Sequence, residues 1–347
     1  MQTRRSIATL FYNVRCRITG KAVNEINLYR QDGEDLTGWK IRCCLAKKRG
    51  NTDMDWVEIR DMLGLDITSD QLRKQAVGYE EYDSYIHGYN SVSTTILSIS
   101  DLHVPFQLPK ELLSDYVGRT DILQLNGDIS DMQSISTFPK AYRVSPMEEI
   151  IETRKYLIEL IEYINPKKVV ITYGNHDIRF QSYLAKNLDS DLLELMPKTS
   201  LELIFIDGFR HFDKRERTKI EYKPLKNVFE NIEIEYTDNW YCQINDTIFC
   251  HPMAYSSGIL KTAEKAMLWF RNEGFDFRRL VMAHTHRSGQ YTIGNTTIYE
   301  QGAFCDVKKN NYSDGKLFNS QKEGFIFMCQ DHEGNTIDDK TKLVVLN

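Results

Sequence analysis

Cysteine is scarce and unpatterned in this chain: seven among 347 residues, an odd number, with no C-x-x-C spacing. That argues against a disulfide framework. With Cys43 and Cys44 adjacent and Cys250 inside a strand-like run, it predicts buried, reduced thiols in a reducing compartment. Long apolar runs are missing too. No stretch approaches the roughly 18 apolar residues that a membrane helix needs. The start, Met1-Gln2-Thr3-Arg4-Arg5-Ser6 followed by Ile7 to Tyr12 and more arginines, is too short and too charged for a secretory signal. A cytoplasmic protein with no membrane partner is expected. Nor is there an excess of positive charge. A net charge of −5 excludes a polycation that coats nucleic acid by charge alone, while leaving room for a local basic patch. Internal repeats and low-complexity segments are absent as well. What remains, with 41% apolar and 27% charged residues, is a soluble globular composition long enough for one large domain or two ordinary ones.

Charge divides the N-terminal region. Residues 1–50 hold eleven Lys/Arg against four Asp/Glu, including Arg4, Arg5, Arg15, Arg17, Lys21, Lys47, Lys48 and Arg49; residues 51–90 hold three against nine. Trp56 to Leu63 has helical apolar spacing, and Gly64 is placed to end it. Ile67 to Gln75 reads as a second helix, capped by Thr68 or Ser69. Helix, glycine turn, helix resembles a helix-turn-helix unit, with Trp56, Leu63 and Leu72 expected in its core. Glu80 to Asn90 is the expected linker.

From Ser91 the pattern becomes α/β. Strands are predicted at Thr94–Ser100, Asp121–Asn126, Lys168–Tyr173, Thr247–Cys250 and Leu280–Ala283, with an amphipathic helix from Pro146 to Asn165 and another from Ile259 to Asn272. Alternating segments near Thr297–Tyr299, Gly324–Met328 and Lys342–Leu346 are expected to complete a second sheet. Residues 181–235 lack clear periodicity and carry the charged run Lys214 to Lys219, so an inserted cap is expected there.

Five polar clusters follow the strand-like runs: Asp101-Leu102-His103, Gly127-Asp128-Ile129-Ser130-Asp131, Gly174-Asn175-His176-Asp177, His251, and His284-Thr285-His286. In open α/β folds ligands bind beyond the carboxyl ends of strands, so groups far apart in sequence can converge. The donors are carboxylate and amide oxygens and imidazole nitrogens without thiolate, a set suited to a pair of divalent ions. Asp101 and His103 are expected to alternate on a strand extension and point the same way. Gly127 lets the backbone come close, and the Asp128 carboxylate can bridge two cations. His176 stands beside a ligand without being needed as one and is the natural general acid, with Asp131 or Asp177 holding its other nitrogen.

These blocks resemble the calcineurin-like metallophosphoesterase superfamily, with its motifs D-x-H, G-D-x-x-D, G-N-H-[DE], H and G-H-x-H, over Ile96 to Phe304. The resemblance implies an α/β four-layer sandwich, two β-sheets flanked by helices. To this the helical reading adds a small N-terminal helical domain: 1–90 helical with its linker, and 91–347 the phosphoesterase domain. It further implies that Asp101, His103, Asp128 and His286 bind one metal while Asp128, Asn175, His251 and His284 bind the other. His176 would be the acid, with Asp131 behind it. Two departures stand out. Ala283 replaces the usual Gly of the last motif, and Met132 stands where Ser/Thr protein phosphatases carry a phosphate-gripping Arg. Overall the pattern looks closest to phage- or prophage-type members.

The expectation is a metal-dependent phosphodiesterase or nuclease acting on nucleic acid or a nucleotide through a metal-bridging hydroxide. Two divalent ions are needed; manganese heads the candidates, with iron, zinc and magnesium also suited to the donors. Arg179 and Arg287 are the candidate phosphate contacts. A phosphomonoesterase, or a DNA-binding regulator with a non-catalytic metal domain, are the competing readings.

Overall fold

The computed structural model describes residues 28–30, 34–48, 50–83, 92–136, 144–213, 216–309 and 321–346. The basic residues Arg4, Arg5, Arg15, Arg17, Lys21, Arg49, Lys214 and Arg215, and the linker from 84 to 90, lie outside the described residues. The chain divides into two compact units, Met1–Ser91 and Val92–Asn347. Among the described residues no helix is long and apolar enough to cross a membrane.

The first unit is helical: α1 (Leu36–Lys48), α2 (Trp56–Leu63) and α3 (Ser69–Asp83). α2 begins in a capping box. The Asp55 carboxylate accepts the Val57 and Glu58 N–H groups at 2.8 Å, and the Glu58 carboxylate accepts the Asp55 N–H at 2.8 Å. It ends at Gly64, whose φ of 65° only glycine adopts readily. Thr68 and Gln71 exchange reciprocal bonds of 3.2 and 2.9 Å and start α3 the same way. Ile59, Leu63, Leu72 and Ala76 pack against Cys43 and Cys44 of α1, with Trp56 half-buried beside them. α1 has no counterpart in the sequence reading. Its amphipathicity is weak, because its buried residues, Cys43-Cys44-Leu45-Ala46, are consecutive rather than helically spaced. Glu80 to Asp83, expected in the linker, extend α3.

The second unit is built on two sheets. β1 (Thr94–Ile99), β2 (Ile122–Asn126) and β3 (Lys168–Thr172) run parallel; β4 (Phe209–Asp213) and β5 (Thr218–Tyr222) form a separate hairpin; β6 (Glu233–Tyr236) pairs with β3. β7 (Tyr241–Ile244), β8 (Thr247–Cys250), β9 (Arg279–Met282), β10 (Ser288–Ile293) and β11 (Thr296–Gln301) make the second sheet in the order β10-β11-β9-β8-β7. The tail strands β12 (Glu323–Gln330) and β13 (Lys342–Leu346) differ from expectation: they join the first sheet, giving β13-β12-β1-β2-β3-β6. β12 lies antiparallel to β1 with seven of its eight residues buried, so it needs cover on both faces, and the interior of the first sheet supplies it. Residues 181–235 hold the hairpin and the edge strand β6 rather than a cap alone.

Alternation along the strands sorts side chains into layers. Leu97, Ile99, Val169 and Ile171 face outward into one cluster with α4 (Pro146–Ile164), which buries Ile150, Leu157, Leu160, Ile161 and Ile164, while Phe325 and Phe327 on the same side meet Tyr116 at ring-centre distances of 5.3 and 4.8 Å. Ile248, Cys250, Leu280, Met282 and Ile298 face outward on the second sheet onto α5 (Lys261–Asn272), through Ala263, Ala266, Met267 and Phe270. The intervening residues Ile96, Val170, Phe249, Val281, Tyr299, Ile326 and Met328 meet between the sheets. Helix, sheet, sheet, helix is the result, with each fully buried aliphatic side chain contributing about 1.5–3 kcal/mol. Near the strand ends the inter-sheet layer turns polar: Ser98 donates to the Gln124 amide oxygen at 2.6 Å, and the Asn126 amide donates to the Cys250 carbonyl at 3.3 Å, tying β2 to β8.

Candidate metal centre

All five polar clusters fall at the carboxyl ends of β1, β2, β3, β8 and β9, and the structure brings them together. Hydrophobic burial of the strands fixes where each cluster begins; strained backbone then turns the side chains inward. Asp101, His103, Asp128, His284 and His286 have φ of 51°, 45°, 51°, 78° and 52°. For non-glycine residues such conformations cost on the order of 1–3 kcal/mol each and persist only where the surroundings enforce them. Here the enforcement includes Asp101 N–H to Gly127 O and His103 N–H to Asp128 O, both 3.0 Å. Asp101 and His103 therefore converge through two left-handed kinks, not through the simple strand alternation expected from sequence.

Two glycines make the approach sterically feasible. A Cβ on Gly127 (φ 78°) would lie 2.6 Å from His251 Nδ1 and 2.8 Å from Gly174 N; one on Gly174 would overlap the Asp128 carboxylate. Asp177 fastens the same turn, accepting Gly174 N–H at 2.9 Å and Ser130 N–H at 3.2 Å. Burial and the neighbouring Asp128 push its carboxyl up to about 7.

Two buried carboxylate oxygens each face three imidazole nitrogens. Asp101 Oδ1 lies 3.2 Å from His286 Nε2, 3.9 Å from His103 Nε2 and 4.0 Å from His251 Nε2. Asp128 Oδ2 lies 3.3 Å from His251 Nε2, 3.8 Å from His176 Nε2 and 3.9 Å from His103 Nε2. Asn175 Oδ1 completes one side, 2.7 Å from His284 Nδ1 and 3.3 Å from His251 Nε2. His103 and His286 bring their Nε2 atoms to 3.2 Å. Among the described residues three groups have ligand atoms close enough to hold an ion: Asp101, His103 and His286; His103, Asp128 and His176; Asp128, His251 and His284. The remaining atoms of these side chains are oriented by their own partners. His251 Nδ1 lies 2.8 Å from the Asn126 carbonyl, directing Nε2 at Asp128. Asp101 Oδ2 accepts Ser100 Oγ–H at 2.7 Å and His284 N–H at 3.2 Å, and Asp128 Oδ1 accepts His176 N–H at 2.7 Å.

The donor set fits a pair of cations. Asp101 Oδ1 is fully buried with no hydrogen-bond partner, although it points into the cluster. An orphaned buried carboxylate oxygen is costly unless a cation compensates it. The electrostatics agree. Burial would raise the Asp101 carboxyl, but His286 and His251 bring it down to about 2; Asp128 is likewise held well below the carboxylate range, against burial, by His251 and His176. Burial would lower the His251 imidazole, yet Asp128 and Asp101 lift it to about 9, while His284, lowered by burial and by His251, falls to about 4.

His176 is buried beside the cluster. Its Nδ1 lies 2.9 Å from the Asp131 carbonyl and 3.0 Å from Asp131 Oδ1, and the same carboxylate oxygen is 3.2 Å from His103 Nδ1. Asp131 is depressed well below its ordinary value: burial opposes this, but His103 and His176 prevail. Of the two carboxylates considered for His176, Asp131 is the one in contact. Arg179 reaches the cluster, donating to the Asp131 carbonyl at 2.9 Å and contacting His176 Nε2 at 2.9 Å. Arg287 is placed otherwise: buried, it donates to Gly258 O, Ser257 O and the Tyr255 hydroxyl in the loop after β8. Ser100 and the Asn126 carbonyl were missed by sequence reasoning. A serine before Asp101 is a weak signal, and a backbone carbonyl gives none.

A family model described as calcineurin-like phosphoesterase matches residues 94–288. No curated protein matches the chain. Among solved structures, similarity extends to an archaeal phosphodiesterase at 14% identity, covering 73% of this chain and 100% of that one with a TM-score of 0.33. It extends also to vacuolar protein sorting 29 from Cryptosporidium parvum (15%, 74% and 100%, TM-score 0.33) and to a metallophosphoesterase from Sphaerobacter thermophilus (13%, 73% and 89%, TM-score 0.31).

Proposed function

The chain belongs to the calcineurin-like phosphoesterase family, a metal-dependent phosphoric ester hydrolase, and from that premise we propose that it cleaves phosphodiesters of nucleic acid or nucleotides. Asp101, His103, Asp128 and His286 would hold one divalent ion, and Asp128, Asn175, His251 and His284 the other. Manganese is our first choice. When bound, the pair supplies Lewis acidity to the phosphate oxygens and makes an attacking water acidic.

The remaining steps belong to the chain's own side chains. Asp131 holds His176 by Nδ1, leaving Nε2 directed at the cluster. In the structure Arg179 covers Nε2. An entering phosphate draws the guanidinium onto its own oxygens, and the uncovered Nε2 takes a proton from solvent and gives it to the leaving oxygen.

The observation that supports a diester is how few guanidinium groups reach His176 among the described residues. The position after Asp131 is a buried methionine, Met132, and Arg287 is committed to its loop, while Arg179 contacts His176. A single guanidinium there, among the described residues, suits a monoanionic diester better than a dianionic monoester. The helical N-terminal unit would present the nucleic acid, and buried thiols at Cys43, Cys44, Cys242, Cys250 and Cys329 support a cytoplasmic setting.

Manganese-loaded protein should hydrolyse bis-p-nitrophenyl phosphate and DNA in preference to p-nitrophenyl phosphate. Asp128→Asn should lose at least about a hundredfold, and His176→Ala about 10²–10⁴-fold. Turnover of the monoester alone would replace this reading with a phosphomonoesterase. DNA binding that survives His176→Ala without any hydrolysis would make the protein a regulator.

A further inference from the structure

The loop joining β8 to α5 exposes the apolar residues Met253, Tyr255 and Ile259, with Tyr255 49% exposed. Tyr255 is half-exposed yet tethered: its hydroxyl accepts a 2.9 Å bond from Arg287, which is only 6% exposed. Arg287 also donates to the Gly258 and Ser257 carbonyls at 3.0 and 3.1 Å, with its guanidinium carbon 5.5 Å from the Tyr255 ring centre. The loop is thus fastened to the residue that follows His286. The fastening sets the aromatic ring beside the metal centre, 6.1 Å from the His284 ring.

We propose that Tyr255 is the stacking platform of a nucleobase subsite at the mouth of the metal centre, with Arg287 as the positioning residue that fixes its ring. This rests on the phosphodiesterase reading and names the part of the substrate that reading leaves open. Every base presents a π-face, so a fixed half-exposed aromatic binds bases without regard to sequence. Anchoring the hydroxyl removes the rotamer freedom that stacking would otherwise cost.

The test uses the full-length, manganese-loaded protein and three diesters that release the same p-nitrophenolate: thymidine 5′-p-nitrophenyl phosphate, thymidine 3′-p-nitrophenyl phosphate and methyl p-nitrophenyl phosphate. The readout is the ratio of kcat/KM on the better thymidine ester to that on the methyl ester. Tyr255→Ala should lower this ratio roughly 5- to 100-fold, chiefly through KM. Tyr255→Phe, which keeps the ring but loses the Arg287 bond, should fall between the wild type and the alanine variant. An unchanged ratio in the alanine variant overturns the proposal, and so does a phenylalanine variant that falls as far as alanine. The methyl ester carries no base, so its turnover by the wild type reports on the phosphodiesterase reading alone. If the wild type leaves it and both thymidine esters intact, that reading fails and the subsite with it.

Discussion

Burial alone would push the His251 imidazole below its ordinary value, yet the Asp128 and Asp101 carboxylates lift it to about 9. A proton on that ring satisfies the carboxylates as a metal ion would, and ligation requires its release. The sign follows directly. A raised histidine contributes stability that is fully present below its unfolded value of about 6.5 and is lost as pH rises through 9. Metal affinity runs the other way. Calorimetric titration of metal-free protein with Mn²⁺ between pH 6.5 and 9 should show affinity rising by up to about tenfold per pH unit, with proton uptake by the buffer. Affinity flat across that range would remove His251 from the ligand set.

Single elements carry the frame on which these residues sit. α4 covers the outer face of the first sheet, and its start is defined by Ser145, whose hydroxyl accepts Glu148 N–H at 3.1 Å while the Glu148 carboxylate takes Ser145 N–H at 3.0 Å. Pro146 follows at the first helical position, where its missing N–H is no loss. Within the same helix Glu149 reaches back to the segment after Asp131, accepting Gln133 N–H at 3.0 Å and Ser134 Oγ–H at 2.5 Å. Removing the cap by Ser145→Ala should destabilise the protein by about 1 kcal/mol, measured by urea unfolding with an unchanged slope. A change below a few tenths would mean that tertiary packing alone holds this end.

The proposed metal ligands follow strands of both sheets of the second unit: Asp101, His103, Asp128 and Asn175 the first, His251, His284 and His286 the second. Bound ions therefore close the gap between two halves of the sandwich and favour the folded state by mass action. At a hundredfold excess over Kd each binding event adds about 2.7 kcal/mol, which for a unit of this size raises Tm by roughly 5–10 °C. Differential scanning calorimetry before and after chelation should show that drop, and restoring Mn²⁺ should reverse it. Identical melting with and without chelator would mean that the cluster holds no ion.

Much of this was legible in the residues themselves. β8 and β13, α2 with its Gly64 stop and α4 with its ends follow from local rules: apolar period, capping residues and turn chemistry act over a few positions. The five clusters were readable for a related reason, since each directly follows a recognisable strand. Tertiary structure decided the rest. β12 joins the first sheet because burial on both faces is settled by distant partners, and β13 follows it as the antiparallel edge strand. α1 escaped notice because its buried residues are consecutive. Arg179 and Arg287 look alike in sequence, each following a histidine of the site, but they part company in space. One turns to His176 and the other to a loop, because the direction of a long side chain depends on carbonyls and hydroxyls brought near only by folding.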